Sequence, residues 1–270
     1  MARIGLLAGN GNLPVEFTYA AKAEGNEVVA IALTPEAEVD KLKSVATKLY
    51  QISAGQLNKI INTLKEEGIS EVVMLGKVTK ELLYQGIELD QRFMLLLSNL
   101  KEKNDDSIML AIVKELESAG IKISNQTKYI AALLPAEGLL TEVEPDAETL
   151  ADMKYGFKMA KEIGGLDIGQ TVVVKDKAVM AVEAIEGTDQ AILRGGQLGR
   201  GGVIVAKVSK PQQDFRFDIP AVGLDTLDKL VKVKAKGLII EAKKTFIVNQ
   251  EEFIKGANEA GIAVVAMEED

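Results

Sequence analysis

Residues 3–14, Arg-Ile-Gly-Leu-Leu-Ala-Gly-Asn-Gly-Asn-Leu-Pro, decide the fold. The run 3–8 is short, apolar and ended by Gly9, which marks a buried strand. The turn Gly9-Asn10-Gly11-Asn12 then delivers the chain to Pro14, whose fixed φ and missing N–H suit the first turn of a helix. That helix runs to about Glu24 and stops at Gly25, and residues 27–33, Glu-Val-Val-Ala-Ile-Ala-Leu, form a second buried strand. The chain therefore opens with a β-α-β unit.

Outward from there the pattern repeats. Leu57, Ile60, Ile61 and Leu64 fall on one helix face, and Gly68 leads into a third apolar strand at 71–75. Amphipathic helices near Asp90–Lys101 and Asp106–Ala119 complete a Rossmann-like open parallel sheet with helices, assigned to residues 1–133. Residues 134–145, carrying Pro135, Gly138 and Pro145, show no sustained period and read as a linker. The remainder, 146–270, reads as an α+β domain. In it Asp146 caps a helix reaching Gly164, and 171–185 forms two strands around Lys175-Asp176-Lys177. Further strands fall at 203–208, 238–242, 246–248 and 263–266, with helices near 225–236 and 250–260. Met153, Phe157 and Met159, at helical spacing, are expected in the core.

Composition narrows the chemistry. The 270 residues include no His, Cys or Trp, which excludes imidazole bases, thiolate nucleophiles, disulfides and zinc sites of the usual His/Cys kind. A metal would have to sit on oxygen, which favours Mg2+, Mn2+ or Ca2+ on carboxylates, and acid–base work falls to Asp, Glu, Lys or Tyr. The net charge of −8, from 32 basic and 40 acidic residues, argues against a nucleic-acid partner. No signal peptide opens the chain and no apolar run is long enough to span a bilayer, so the expected location is the cytoplasm.

Four stretches carry candidate chemistry. Gly9, Asn10, Gly11 and Asn12 lie between a strand and a helix N-terminus, where backbone N–H groups and the helix dipole favour a phosphate; the same stretch can be a plain structural turn. The second strand ends Ala32-Leu33-Thr34 without an acid, so ribose recognition of the NAD kind is unsupported. Gly76-Lys77-Val78-Thr79-Lys80 follows the third strand at the edge where open α/β sheets hold ligands, without the spacing of a P-loop. Glu183-Ala-Ile-Glu186-Gly-Thr188-Asp189 ends a hairpin and starts a helix, which Thr188 or Asp189 can cap. Finally, 210–223, Lys-Pro-Gln-Gln-Asp-Phe-Arg-Phe-Asp-Ile-Pro-Ala-Val-Gly, sets Asp214, Arg216 and Asp218 two residues apart. If extended, it points all three charges one way and Phe215, Phe217 and Ile219 the other. Such a ladder can be an ion-pair face, or it can hold a divalent cation beside an anion. With Arg194, Lys207 and Lys210 near in sequence, the two acidic clusters suggest a carboxylate-bound metal beside a cationic clamp on a diphosphate.

Taken in order, 8–14, 76–78, 169–174, 182–189 and 210–223 resemble the UDP-2,3-diacylglucosamine diphosphatases of the LpxI type, over nearly the whole chain. The resemblance implies a two-domain cytoplasmic hydrolase of lipid A synthesis, dependent on Mg2+, that cleaves UDP-2,3-diacylglucosamine to UMP and 2,3-diacylglucosamine 1-phosphate. It also implies dependence on an aspartate of the carboxyl-terminal half, with Asp214, Asp218 and Asp225 open as candidates. On this reading Asp214, Arg216 and Asp218 are catalytic. Glu186, Asp189, Asp214 and Asp218 take the metal, while Gly9–Asn12, Lys77, Thr188 and Lys210 bind substrate. The expected partners are a lipid-linked UDP-sugar and, transiently, the inner-membrane surface, to which the enzyme would be peripheral; a homodimer is one assembly open to it. The rival readings are a nucleotide-sugar transferase and a non-catalytic nucleotide-binding regulator.

Overall fold

The structure, a computed structural model, describes residues 2–78, 88–101 and 105–269, and of Asp105 the backbone alone. Thr79 and Lys80 lie outside the described residues. The chain divides into two compact units. One comprises residues up to Ala131 together with Phe215–Phe217, and the other Ala132–Asp214 and Asp218 onward.

In the first unit, β1 (Arg3–Ala8) leads through Gly9–Asn12 into α1 (Leu13–Ala23), which carries Pro14 in its first turn. Gly25, at φ +80°, turns the chain out of the helix, a conformation that costs glycine nothing. There follow β2 (Glu27–Ala32), α2 (Val39–Val45), β3 (Lys48–Gln51), α3 (Leu57–Glu66) and β4 (Glu71–Leu75). The unit continues with α4 (Gln91–Asn99), α5 (Asp105–Ser118) and β5 (Lys122–Ile123). The strands form one parallel sheet in the order β3-β2-β1-β4-β5, with Leu6 beside both Ala30 and Val73. β1, β2 and β4 are buried on both faces, which is why they read as continuous apolar runs and not as alternation. Leu57, Ile60, Ile61 and Leu64 of α3 are all buried. At roughly 1.5–3 kcal/mol for each such side chain, this stripe outweighs the helix's weak intrinsic preference. The strand order reverses between β1 and β4, so the ligand edge of this sheet lies where those two strands end.

The second unit is a mixed sheet between helices. Its elements are β6 (Gly138–Leu139), α6 (Ala147–Gly165), β7 (Thr171–Lys175), β8 (Ala178–Val182), α7 (Thr188–Gly199), β9 (Ile204–Lys207), β10 (Ala221–Val222), α8 (Leu224–Lys232), β11 (Gly237–Glu241), β12 (Phe246–Ile247), α9 (Gln250–Glu259) and β13 (Ala263–Met267). The main sheet runs β6-β13-β11-β9-β7-β8; β13, β11 and β9 are parallel, the other pairings antiparallel. β10 and β12 form a separate parallel pair. Side chains alternate across the sheet as the pleat requires. Val172, Val174, Ile204 and Ala206 share a core with Met153 and Phe157 of α6, whereas Val173, Val205, Leu238 and Ile240 share another with Ile192, Leu227, Leu230 and Phe253 of α7, α8 and α9. Asp146 caps α6 through the Thr149 N–H at 2.7 Å, as its sequence predicts. Asp176 and Lys177, both at positive φ, turn the β7–β8 hairpin.

Two local expectations are corrected. Residues 210–219 are not extended: Gln213 N–H meets the Lys210 carbonyl at 3.1 Å, and Asp218 N–H meets the Asp214 carbonyl at 2.9 Å, so the segment is a run of tight turns. Pro211 removes a ladder donor, and the Gln213 amide closes on both the carbonyl and the carboxylate of Asp218, which together override the two-residue alternation. The cap of α7 is Gly187, without a side-chain bond; Thr188 turns its hydroxyl elsewhere.

Candidate functional site

At the switch point of the first sheet, the loops after β1 and β4 meet through their main chains. Gly9 N–H donates to Leu75 C=O at 2.8 Å, Asn10 N–H to Lys77 C=O at 2.8 Å, and Lys77 N–H to Asn10 C=O at 3.0 Å. No side chain fits this crossing. A Cβ on Gly9 would stand 2.6 Å from the Lys77 carbonyl oxygen, and one on Gly76, at φ +85°, 2.7 Å from that of Asn10. The buried Thr34 hydroxyl donates to the Asn10 side chain, so the end of β2 contributes a hydroxyl where a dinucleotide site has an acid. Gly9, Asn10, Gly11, Asn12 and Lys77 are thus neighbours, but the N–H groups of Gly9 and Asn10 are committed to carbonyls. At the start of α1, Asn12 Nδ2 donates to Glu16 at 3.2 Å. The sequence reading took Thr34 only as the absence of an acid; its place just after β2 was the available signal for the hydroxyl.

In the second unit the carboxyl edge carries buried charge. Lys207, the last residue of β9, pairs in register with Thr171, and Glu183 N–H donates to the Thr171 carbonyl at 2.9 Å, which sets the three residues in a row. Lys207 is 7% exposed and Glu183 9%. The Lys207 ammonium donates to Thr188 Oγ1 at 3.2 Å and to the Ala221 carbonyl at 2.9 Å; the Thr188 hydroxyl in turn donates to Glu183 Oε1 at 2.8 Å. One step along the sheet, Glu241 ends β11 at 1% exposure and accepts from Ser209 N–H at 2.8 Å, Lys161 at 3.1 Å and Lys244 at 2.8 Å. Glu241 went unremarked in the sequence, yet a charge inside the apolar run Leu238–Ala242 was the signal for it, as Lys207 was within 203–208.

The remaining candidates are spread along this edge. Glu186 is held by Arg194, whose guanidinium keeps the carboxyl below the usual carboxylate range. Asp189 is half-buried in the first turn of α7. Lys210 pairs with Asp167 at 2.6 Å and its N–H donates to Gln213 Oε1 at 2.8 Å. Asp214 and Asp218, both half-buried, stand one turn apart in the second unit. Arg216 groups with the first unit, as do Phe215 and Phe217, and pairs with Glu117 at 3.3 Å. Asp225 is exposed in the first turn of α8. Among the described residues no three carboxylates come together as a metal cage. The all-oxygen donor set suits Mg2+, which commonly takes one or two carboxylates and completes its shell with water and substrate phosphates. No described helix is long and apolar enough to cross a membrane.

With this geometry in hand, three comparisons bear on the chain. The family model described as the LpxI N-terminal domain matches residues 3–133, and that of the LpxI C-terminal domain matches 136–265. The UDP-2,3-diacylglucosamine pyrophosphatase LpxI of Caulobacter vibrioides is 30% identical over 282 residues, covering 99% of this chain and 98% of that protein. Solved structures give weaker likenesses. A UDP-glucose-4-epimerase from Stenotrophomonas maltophila with bound NAD aligns at TM-score 0.29 and 11% identity, over 44% of this chain and 34% of its own. An ADP complex of N5-carboxyaminoimidazole ribonucleotide synthetase aligns at 0.29 and 16%, over 69% and 39%. Likenesses of this size say nothing about the site.

Proposed function

The chain belongs to the LpxI family, and from that premise we propose that it hydrolyses the diphosphate bond of UDP-2,3-diacylglucosamine to UMP and 2,3-diacylglucosamine 1-phosphate, a step of lipid A synthesis. The observation that carries the proposal is the end-to-end match to a pyrophosphatase of that name, which leaves neither unit outside the alignment. The buried polar row at the carboxyl edge of the second sheet supports it, because hydrolysis without histidine needs carboxylates and cations held in place by their surroundings.

In this reading Asp214 and Asp218 carry the hydrolytic step. Mg2+, or Mn2+ in its place, would be held by these two carboxylates and the diphosphate oxygens, with Glu186 and Asp189 as further ligands, and would neutralise the diphosphate and acidify a water. One of the two aspartates takes the proton of the attacking water, and Arg216 meets charge that builds on the phosphoryl oxygens. Gly9–Asn12 and Lys77 receive the nucleotide, and Thr188 and Lys210 the lipid-bearing phosphate. Because the acyl chains keep the substrate in a membrane, the enzyme visits the inner-membrane surface transiently, as a peripheral protein of the cytoplasm.

Incubation with UDP-2,3-diacylglucosamine and Mg2+ in oxygen-18 water, followed by mass analysis of both products, tests this reading. We expect UMP and the lipid 1-phosphate with one labelled oxygen in one of them. Passage of the sugar moiety to an acceptor other than water would indicate a transferase instead, and absence of turnover a regulator. Full turnover after exhaustive removal of Mg2+, Mn2+ and Ca2+ would overturn the metal's part alone.

A further inference from the structure

We propose that Lys207 is a positioning residue of the hydrolytic site: its ammonium ties the first turn of α7 to β10 and so holds segments 183–189 and 210–222 in a single arrangement. This deepens the diphosphatase reading and rests on it for its kinetic consequence.

A lysine at the end of a buried strand is costly, since an ammonium taken out of water must be repaid by hydrogen bonds. Its acceptors here include two neutral groups, the Thr188 hydroxyl at 3.2 Å and the Ala221 carbonyl at 2.9 Å. Beyond the hydroxyl stands a carboxylate. A hydroxyl has one proton, and Thr188 gives it to Glu183 Oε1 at 2.8 Å, which leaves its lone pairs to accept from Lys207. The chain Lys207→Thr188→Glu183 therefore has a fixed direction, and each member polarises the next. Thr171 Oγ1, 3.5 Å from Thr188 Oγ1, fills out the neighbourhood, and the Gln170 N–H approaches Glu183 Oε2 at 3.4 Å.

Thr188 and Ala221, both bonded to Lys207, belong to the two stretches in which the candidate carboxylates lie. Thr188 is next to Asp189 and two residues from Glu186, while Ala221 follows the turn that carries Asp214 and Asp218. Neither stretch is regular where it matters. Residues 183–187 form a loop and 208–220 a run of turns, so the backbone alone does not fix their separation. Lys207, anchored in the sheet beside Thr171, supplies that constraint. An apolar residue in its place could donate to neither acceptor.

The test compares wild-type protein with Lys207→Met and with Thr188→Val, which removes the hydroxyl that accepts from Lys207 and donates to Glu183 and keeps the question answerable if the first variant does not fold. Two measurements are made. Without substrate, amide hydrogen exchange in 183–189 and 214–222 should quicken by about tenfold in both variants, while β9 and β11 keep their protection. With UDP-2,3-diacylglucosamine and Mg2+, kcat per folded molecule should fall about 30-fold or more in both variants, with KM within about threefold in Lys207→Met, and the double variant should be no worse than the worse single one. Unchanged exchange in both variants overturns the tie, whatever the activity. Quickened exchange with kcat within about twofold of wild type overturns its part in positioning. An inactive wild type counts against the diphosphatase reading, and the exchange measurement still decides the tie.

Discussion

The carboxyl edges of the two sheets are finished in different ways. In the first unit the loops after β1 and β4 close on each other through N–H and C=O groups of Gly9, Asn10, Leu75 and Lys77. In the second, the corresponding edge buries the side chains of Glu183, Lys207 and Glu241. Main-chain pairing satisfies groups that every residue carries and adds no charge. A buried ammonium or carboxylate costs several kcal/mol in lost hydration and stays in place only through its partners. The second edge is therefore the one where substitution should be felt most, in stability and in chemistry alike.

The largest effect should come from Glu241. Glu241→Ala leaves Lys161 and Lys244 beside a vacated buried site and should destabilise the second unit by about 3–5 kcal/mol, read from urea unfolding. A loss below ~1 kcal/mol would erase the proposed contrast between the edges. Next are Asp214→Asn and Asp218→Asn, each expected to lower kcat by roughly a hundredfold or more with thermal unfolding little changed, because an amide is a poor metal ligand and no base. If both retain near-normal kcat, the chemistry lies elsewhere, and Asp225→Asn is the next variant to assay.

At the first edge, Gly76→Ala forces a Cβ against the Asn10 carbonyl from a positive-φ position and should cost about 1–3 kcal/mol. Melting of the variant checks this, and an unchanged midpoint would mean the main-chain crossing yields easily. The smallest effect is electrostatic and also lies in the first unit. Lys128 and Ser124 hydrogen-bond the Glu71 carboxylate and hold it below its ordinary value of 4.5. A lowered folded-state value means that this contribution is fully present above about 4.5 and is lost as pH falls through the folded value. Glu71→Gln should therefore lose less stability than wild type between pH 7 and pH 3, by on the order of 1 kcal/mol or less for so partly exposed a pair. Parallel acid limbs in the two proteins would show that Glu71 plays no such part.

β1, β2 and β4, with α1 and α3, were legible because local signals agree there: Pro14 at a helix start, Gly25 at its end, and apolar runs of strand length between. Met153 and Phe157 were likewise recognisable as core. β3, Lys-Leu-Tyr-Gln, was not, since a partly exposed edge strand has neither an apolar run nor clean alternation. β5 and β6, two residues each, exist only through their neighbours. The 214–218 segment misled in the opposite way. Its alternation is real, but Pro211 and the Gln213 amide decide the backbone. Of the polar row, the sequence offered each residue but not the meeting of Lys207 with Thr188, which depends on the register of β7 against β9.

The membership of Phe215–Phe217 in the first unit bears on the order in which the protein is made. Phe217 packs against the core formed by residues such as Phe93 and Leu116, and the Phe215 carbonyl accepts the Gln126 N–H at 2.9 Å. A chain leaving the ribosome at about 5–20 residues per second presents everything up to Ala131 several seconds before these three residues. During that interval the nascent first unit is short of a ring in its core and of a partner for one of its amides, so its final consolidation waits on translation of most of the second.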